Sequence, residues 1–218
     1  MKTFPEFPNL FVVNHPLVQD KLSRMREKTC PTADFRVLLQ KISMLMAYNV
    51  TEDMAMTTRQ IVTPLIEMDA PTLAERDPVI VPILRAGLGL VDGLLTVFPD
   101  AIIAHVGLYR DEATHQPHEY LVRMPNPIPD DRRFIIVDPM LATGNSAVHA
   151  IDVLIARGVS KDKISLMTLV AAPEGVKTVH AKHPTAKIFT ASLDSHLNEH
   201  AYIVPGLGDA GDRIFGTI

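Results

Sequence analysis

Arg85, in VPILRAGLG, and Arg110, in HVGLYR, each leave a run of apolar residues as a permanent positive charge. A third segment, VDPMLATGNSA at 137–147, turns out of another such run through small polar residues. A guanidinium presents a planar fork suited to phosphate oxygens, although at a strand end it can equally sit in an ion pair. Successive backbone N–H groups from Ala142 to Ala147, with the Thr143 and Ser146 hydroxyls beside them, form a nest for a phosphate at the positive end of a following helix. An ordinary strand-to-helix turn capped by serine or threonine is the alternative reading of the same residues. Taken together, two arginines and a phosphate nest predict a ligand with phosphates at both ends.

Other motifs point elsewhere and are set aside. The loop at 138–147 lacks a Walker lysine, which argues against ATP hydrolysis of that type. In RAGLGLVDG the glycines at 87 and 89 begin a dinucleotide fingerprint, but Asp92 holds the sixth position and Gly93 arrives one residue late. HLNEH at 196–200 matches a zinc-protease pattern, yet a strand precedes it, a glycine-rich loop follows, and no later glutamate exists to complete the site. Its histidines, like His180 and His183, read as surface or packing residues. The loop PGLGDAGD at 205–212 is the richest in glycine and suits close approach of a ligand to backbone. The stretch 110–132, with Arg123 and several prolines, suits a hairpin or flap that excludes water.

These loops need elements to hold them. Short apolar runs at 78–84, 101–109, 133–139, 163–172 and 186–192 alternate with helical stretches at 88–98, 146–157 and 173–182. That alternation predicts an α/β fold with a doubly wound, mostly parallel sheet covered on both faces. Ligands in such folds bind beyond the carboxyl ends of the strands. Before residue 78, helices are expected over 15–28 and from about Thr32, where Phe35, Leu38, Leu39, Ile42, Leu45 and Met46 recur at helical spacing. Residues 54–64 alternate as a strand at a sheet edge or an arm reaching a partner subunit. One domain over 1–218 is expected, with 1–77 as a helical and arm region, 78–192 as the α/β core and 193–218 as a ligand-binding segment.

Composition agrees with a single buried core: 218 residues, 47% apolar and 21% charged. The opening MKTFPEFPNL interrupts its apolar residues with Pro5, Glu6 and Pro8, so no signal peptide is expected. With no run long enough to cross a membrane, the chain is predicted to be soluble and cytoplasmic. A lone cysteine, Cys30, excludes an intrachain disulfide. Net charge of −4 offers no general attraction to nucleic acid.

VDPMLATGNSA is similar to the phosphoribosyl-diphosphate motif of type I phosphoribosyltransferases. VPILRAGLG, DPMLATG, LVAAPEG and YIVPGLGDAGDRIFGT together resemble the uracil phosphoribosyltransferase branch, from about His15 to the C-terminus. The resemblance implies transfer of a phosphoribosyl group to uracil, giving UMP and diphosphate, with Mg2+ held mainly through the substrate. It implies that Arg85 and Arg110 bind phosphoribosyl diphosphate and that Asp138, Pro139, Met140, Leu141, Ala142, Thr143, Gly144, Asn145 and Ser146 hold its ribose and 5′-phosphate. Ile203, Gly208, Asp209 and Ala210 would hold uracil, and Asp209 would also reach the ribosyl substrate. Arg85, Arg110, Asp138 and Asp209 are thus the catalytic candidates.

The resemblance further implies a homodimer or higher homo-oligomer, and GTP-binding allosteric control is known in parts of the family. A glycine usual in the branch is replaced here by Asn145, and another by Ala201. Because Asn tolerates left-handed backbone, the phosphate nest is expected to survive. An RNA-binding regulator built on the same fold would need a basic face, and a purine-specific transferase would need a different C-terminal loop.

Overall fold

The computed structural model describes residues 1–110 and 117–217. Along the chain run β1 (Lys2–Phe4), β2 (Phe7–Val12), α1 (Pro16–Arg26), α2 (Thr32–Val50), β3 (Met56–Val62), β4 (Glu67–Leu73), β5 (Val79–Leu84), α3 (Leu88–Val97), β6 (Ile102–Ile103) and β7 (His105–Arg110). There follow β8 (Pro117–Arg123), β9 (Phe134–Val137), β10 (Met140–Leu141), α4 (Asn145–Ala156), β11 (Ile164–Ala171) and α5 (Pro173–Lys182). The chain closes with β12 (Lys187–Leu193), β13 (His196–Leu197), β14 (Ile203–Val204) and α6 (Ala210–Phe215).

Among the described residues the main sheet runs β1-β2-β12-β11-β9-β5-β7-β8. Its interior pairings are all parallel, and antiparallel strands β1 and β8 close the two edges. Parallel strands buried on both faces should be apolar at every position, and β9 (FIIV) is fully buried throughout. Its residues alternate between two cores. Ile135 and Val137 join Leu22, Leu39, Leu90 and Ile214 on the face covered by α1, α2, α3 and α6. Phe134 and Ile136 join Ile151, Leu154, Val176 and Val179 on the face covered by α4 and α5. Each such side chain stabilises the fold by roughly 1.5–3 kcal/mol on burial.

The N-terminal region departs from expectation in two ways. First, β2 lies inside the main sheet, paired in parallel with β12, so the boundary at residue 77 does not separate the sheet from an accessory region. The reason is Asn9: its amide donates to the Ala186 carbonyl at 2.8 Å and its oxygen lies 2.9 Å from His180 Nδ1, which satisfies a polar side chain inside a strand. Second, β3 is not an edge of that sheet. It pairs with β4 as a separate antiparallel ribbon, exposed along its length.

The run at 101–109 is broken at Ala104 into β6 and β7. The expected flap over 110–132 begins as a hairpin, with β8 antiparallel to β7; residues 111–116 lie outside the described ones.

Replacing Asn9 with alanine strands the Ala186 carbonyl and His180 in the interior. Asn9→Ala is expected to lower unfolding free energy by about 1–3 kcal/mol, read as a lower urea midpoint at unchanged slope.

Candidate functional site

Strand β5 pairs with β9 so that Pro82 stands opposite Val137, which brings Arg85 and Asp138 to neighbouring strand ends. The chain leaves β5 toward β7 on one side, while β9 lies on the other, the switch point where α/β sheets open a crevice. A cleft of about 540 Å³ opens there, lined by Arg85, Ala86, Asp138, Met140, Ala142, Ile203, Gly208, Asp209 and Ala210 among others. A narrower pocket continues from it along Asp138, Met140, Leu141, Ala142, Thr143, Gly144 and Ser146.

Arg85 has no carboxylate partner among the described residues, and its guanidinium lies 5.3 Å from the centre of the Phe215 ring. An aromatic face steadies the charge while leaving its N–H groups for a ligand. The ion-pair reading of Arg85 therefore gives way. Arg110 ends β7 with its backbone opposite Pro117. Its side chain falls outside what the structure describes.

The phosphate loop differs in detail from the sequence reading. Met140 and Leu141 form a short strand, β10, parallel to β11, and the helix starts only at Asn145. The left-handed residue is Gly144 at φ 86°, so Asn145 sits in the first helical turn and needs no left-handed freedom. No serine or threonine caps α4, which overturns the capped-turn alternative and leaves the first-turn amides for a ligand. The same loop explains the glycine of LVAAPEG, Gly175. A Cβ at Gly175 would stand 2.4 Å from the Ala142 carbonyl, so only glycine lets α5 begin against this loop. One residue earlier, Glu174 accepts from Leu197 N–H at 3.0 Å and ties the same helix end to β13.

Asp138 stands between the two cavities. It opens to the cleft yet is surrounded by protein, and burial pushes its carboxyl up to about 7; the one opposing contact is a long 3.4 Å bond from Met140 N–H. A carboxylate so poorly supplied with donors suits the hydroxyls of a sugar.

In the C-terminal segment, HLNEH forms no helix: β13 and β14 make a hairpin whose turn is organised by Asn198 Oδ1, which accepts from His200 and Tyr202 N–H. Asp209 caps α6, accepting from Asp212 N–H at 2.9 Å. Ile203, Gly208, Asp209 and Ala210 all line the cleft opposite Asp138.

Sequence reasoning missed Tyr202 and His200, which share that lining, and Phe215 under Arg85. It also missed Arg26 and Asp194, whose pairing across 168 positions leaves no local signal. Ala201, at φ 60°, is the one described non-glycine residue in left-handed backbone.

A family model described as uracil phosphoribosyltransferase matches residues 12–217. The chain is 60% identical to a uracil phosphoribosyltransferase of Rhodospirillum centenum over 217 residues, covering all of both chains. It is 58% identical to one from Paraburkholderia phymatum, covering 97% of this chain and 96% of that one. A solved structure from Aquifex aeolicus superposes with a TM-score of 0.87 at 32% identity, over 94% of this chain and 97% of that one. The adenine phosphoribosyl transferase of Trypanosoma brucei shares the fold, with a TM-score of 0.59 at 12% identity over 96% and 92% of the two chains.

Two outcomes are expected. Asp138 holds a proton in the folded protein between 3.8 and about 7 that the unfolded chain has released, so its contribution to stability falls as pH rises through that window. Thermal unfolding of ligand-free Asp138→Asn should lack this loss, and parallel pH profiles for variant and wild type would contradict it. Ala201→Gly relieves a left-handed Cβ worth roughly 1–2 kcal/mol against a smaller entropic cost of glycine, so denaturation should show a net gain of up to about 1 kcal/mol.

Proposed function

The chain belongs to the uracil phosphoribosyltransferase family, and from that premise we propose that the cleft beyond β5 and β9 is its active site. The enzyme transfers the 5-phosphoribosyl group from phosphoribosyl diphosphate to uracil, giving UMP and diphosphate in pyrimidine salvage. The observation that carries the site assignment is the meeting of Arg85, Asp138 and Asp209, from three separate loops, around one cleft that continues into the phosphate pocket.

In this reaction the bond from the anomeric carbon to the diphosphate oxygen breaks and a bond to a uracil nitrogen forms. Positive charge grows on the sugar while negative charge gathers on the leaving diphosphate. Arg85 and Arg110 stabilise the leaving group as fixed charges that need no reorganisation. Asp138 and Asp209, which line the same cleft, would face the cationic sugar, with Asp138 accepting from its hydroxyls. The run Asp138 to Ser146 holds the ribose and 5′-phosphate, the phosphate taken by the uncapped first turn of α4. No covalent nucleophile is required, because orientation and electrostatics suffice.

Two carboxylates line the cleft, and among the described residues no cluster of three His, Cys, Asp or Glu forms a metal cage. That donor set fits Mg2+ carried mainly on the substrate diphosphate, with Asp138 or Asp209 nearby. When bound, the ion neutralises charge on the departing oxygens.

Uracil presents an N3 donor between two carbonyl acceptors, whereas cytosine lacks that hydrogen and replaces one carbonyl with an amino group. Backbone groups of Ile203, Gly208 and Ala210 read this pattern. Each buried mismatch costs about 1–3 kcal/mol, so two give strong rejection of cytosine.

Assembly as a homodimer or higher homo-oligomer fits the β3–β4 ribbon, whose tip exposes Val62 at 77%, Leu65 at 91% and Ile66 at 66%. An apolar tip of this kind is suited to burial against a second copy. No helix among the described residues is long and apolar enough to cross a membrane.

Wild-type protein should form UMP from uracil and phosphoribosyl diphosphate with magnesium, and cytosine should not replace uracil. Arg85→Gln should lower kcat/KM for phosphoribosyl diphosphate by on the order of 10²-fold, and Asp209→Asn should also reduce turnover sharply. Binding of phosphoribosyl diphosphate without any UMP would refute the proposal and favour a regulatory role.

A further inference from the structure

Gly206 lies at the bend of the C-terminal loop, between Ile203 and the Gly208–Ala210 stretch. Its φ is 59°, and a Cβ there would meet the Ile203 carbonyl at 2.0 Å, so the loop folds back tightly on itself. Both backbone polar groups of Gly206 are held by one ion pair. Its N–H donates to Asp194 Oδ2 at 2.9 Å, and its carbonyl accepts from Arg26 Nη1 at 2.6 Å.

The two side chains are locked to each other as well. Arg26 Nη1 donates to Asp194 Oδ2 at 2.8 Å and Nη2 to Oδ1 at 2.6 Å, a fork that fixes distance and plane together. Asp194 is only 7% exposed, and Ser192 Oγ donates to its Oδ1 at 2.7 Å. Four donors thus converge on one carboxylate, close to its full accepting capacity. Burial alone would push the Asp194 carboxyl up, but Arg26, Ser192 and Gly206 outweigh it and hold it below the ordinary range.

The anchors belong to regular elements. Arg26 is the last residue of α1, and Asp194 directly follows β12, which is paired on both sides in the main sheet. The neighbouring residue is held similarly: Arg213 donates to the Leu207 carbonyl at 2.8 Å and to the Glu27 carbonyl at 2.8 Å, with Phe35 beneath it. Two successive loop residues are therefore tied to the end of α1, while Gly208 to Ala210 stand open to the cleft.

A base read by backbone groups is discriminated only as well as that backbone is fixed. A shift of about 1 Å in such a site can cost on the order of 10²-fold. We propose that Arg26 and Asp194 are positioning residues for base recognition, locking Gly206 so that the flanking backbone groups set the preference for uracil over cytosine. This rests on the reading of 203–210 as the uracil site.

The test compares Arg26→Lys, Ser192→Ala and Asp53→Asn in steady-state kinetics and thermal unfolding. Arg26→Lys keeps the charge but loses the fork. Ser192→Ala removes a single bond to Asp194 and guards against a misfolded Arg26 variant. Asp53→Asn breaks an ion pair with Arg133 at the opposite end of β9 and controls for stability alone.

Arg26→Lys should raise the uracil KM about tenfold or more, leave the phosphoribosyl diphosphate KM within about twofold, and lower the ratio of cytosine inhibition constant to uracil KM about tenfold. Ser192→Ala should show the same split at about threefold, and Asp53→Asn none of it. Unchanged uracil KM and cytosine ratio in both Arg26→Lys and Ser192→Ala, whatever their melting temperatures, would overturn the positioning role alone. A wild type that forms no UMP would overturn the uracil-site reading beneath it.

Discussion

The parallel pairing of β5 with β9 governs where everything else must stand. With Pro82 opposite Val137, β5 runs two residues beyond the end of β9, and the residues that follow the two strands, Arg85 and Asp138, line one cleft. Parallel strands demand crossovers, and the crossovers here place α3 on one face and α4 on the other. Because α4 starts beside that cleft, its uncapped first turn faces the ligand side of the sheet. Arg85, Asp138 and the loop leading into α4 therefore come together around the cleft as consequences of one register.

Two enclosed carboxylates show how environment assigns roles to the same chemical group. Asp194 receives four donors, and they hold it ionised despite burial. Asp138 receives one long bond, and burial pushes it up to about 7. The first is satisfied by protein and holds protein; the second has accepting capacity left for a ligand. A similar division operates in PEG at 173–175, where Pro173 opens α5, Glu174 holds the C-terminal hairpin and Gly175 admits the phosphate loop. Three adjacent residues thereby fix the two binding loops relative to each other.

The sheet interior was legible because strands buried on both faces must be apolar at every position, as in VIVPIL and FIIV. The pocket at 138–147 was legible because most of the residues that line it follow one another along the chain. Strand β2 was not, since Pro8 and Asn9 interrupt its apolar residues and only contact with Ala186 and His180 makes the asparagine tolerable there. The left-handed tolerance of Asn145 goes unused, because the turn places its left-handed residue one position earlier, at Gly144. Arg26 and Asp194 carry no spacing that could reveal them, because their geometry exists only after α1 packs beside β12.

The ties around the cleft are graded in strength. The C-terminal loop is held by short, charge-assisted bonds from Arg26, the buried Asp194 and Arg213, which suits a segment whose backbone must keep a fixed position. The β7–β8 hairpin is held otherwise. Besides the pairing of β7 with β5 and the packing of Val106 and Val122 on the core, Glu119 approaches Arg157 at 3.6 Å and His149 at 3.9 Å, with the glutamate 38% and the arginine 37% exposed. Solvent-screened pairs of this length are worth about 0–1 kcal/mol, so they cost little to break and remake. Glu119 thus adds a solvent-screened tie from β8 to α4, while the C-terminal loop keeps its alignment through the buried Asp194 carboxylate and the Arg26 fork.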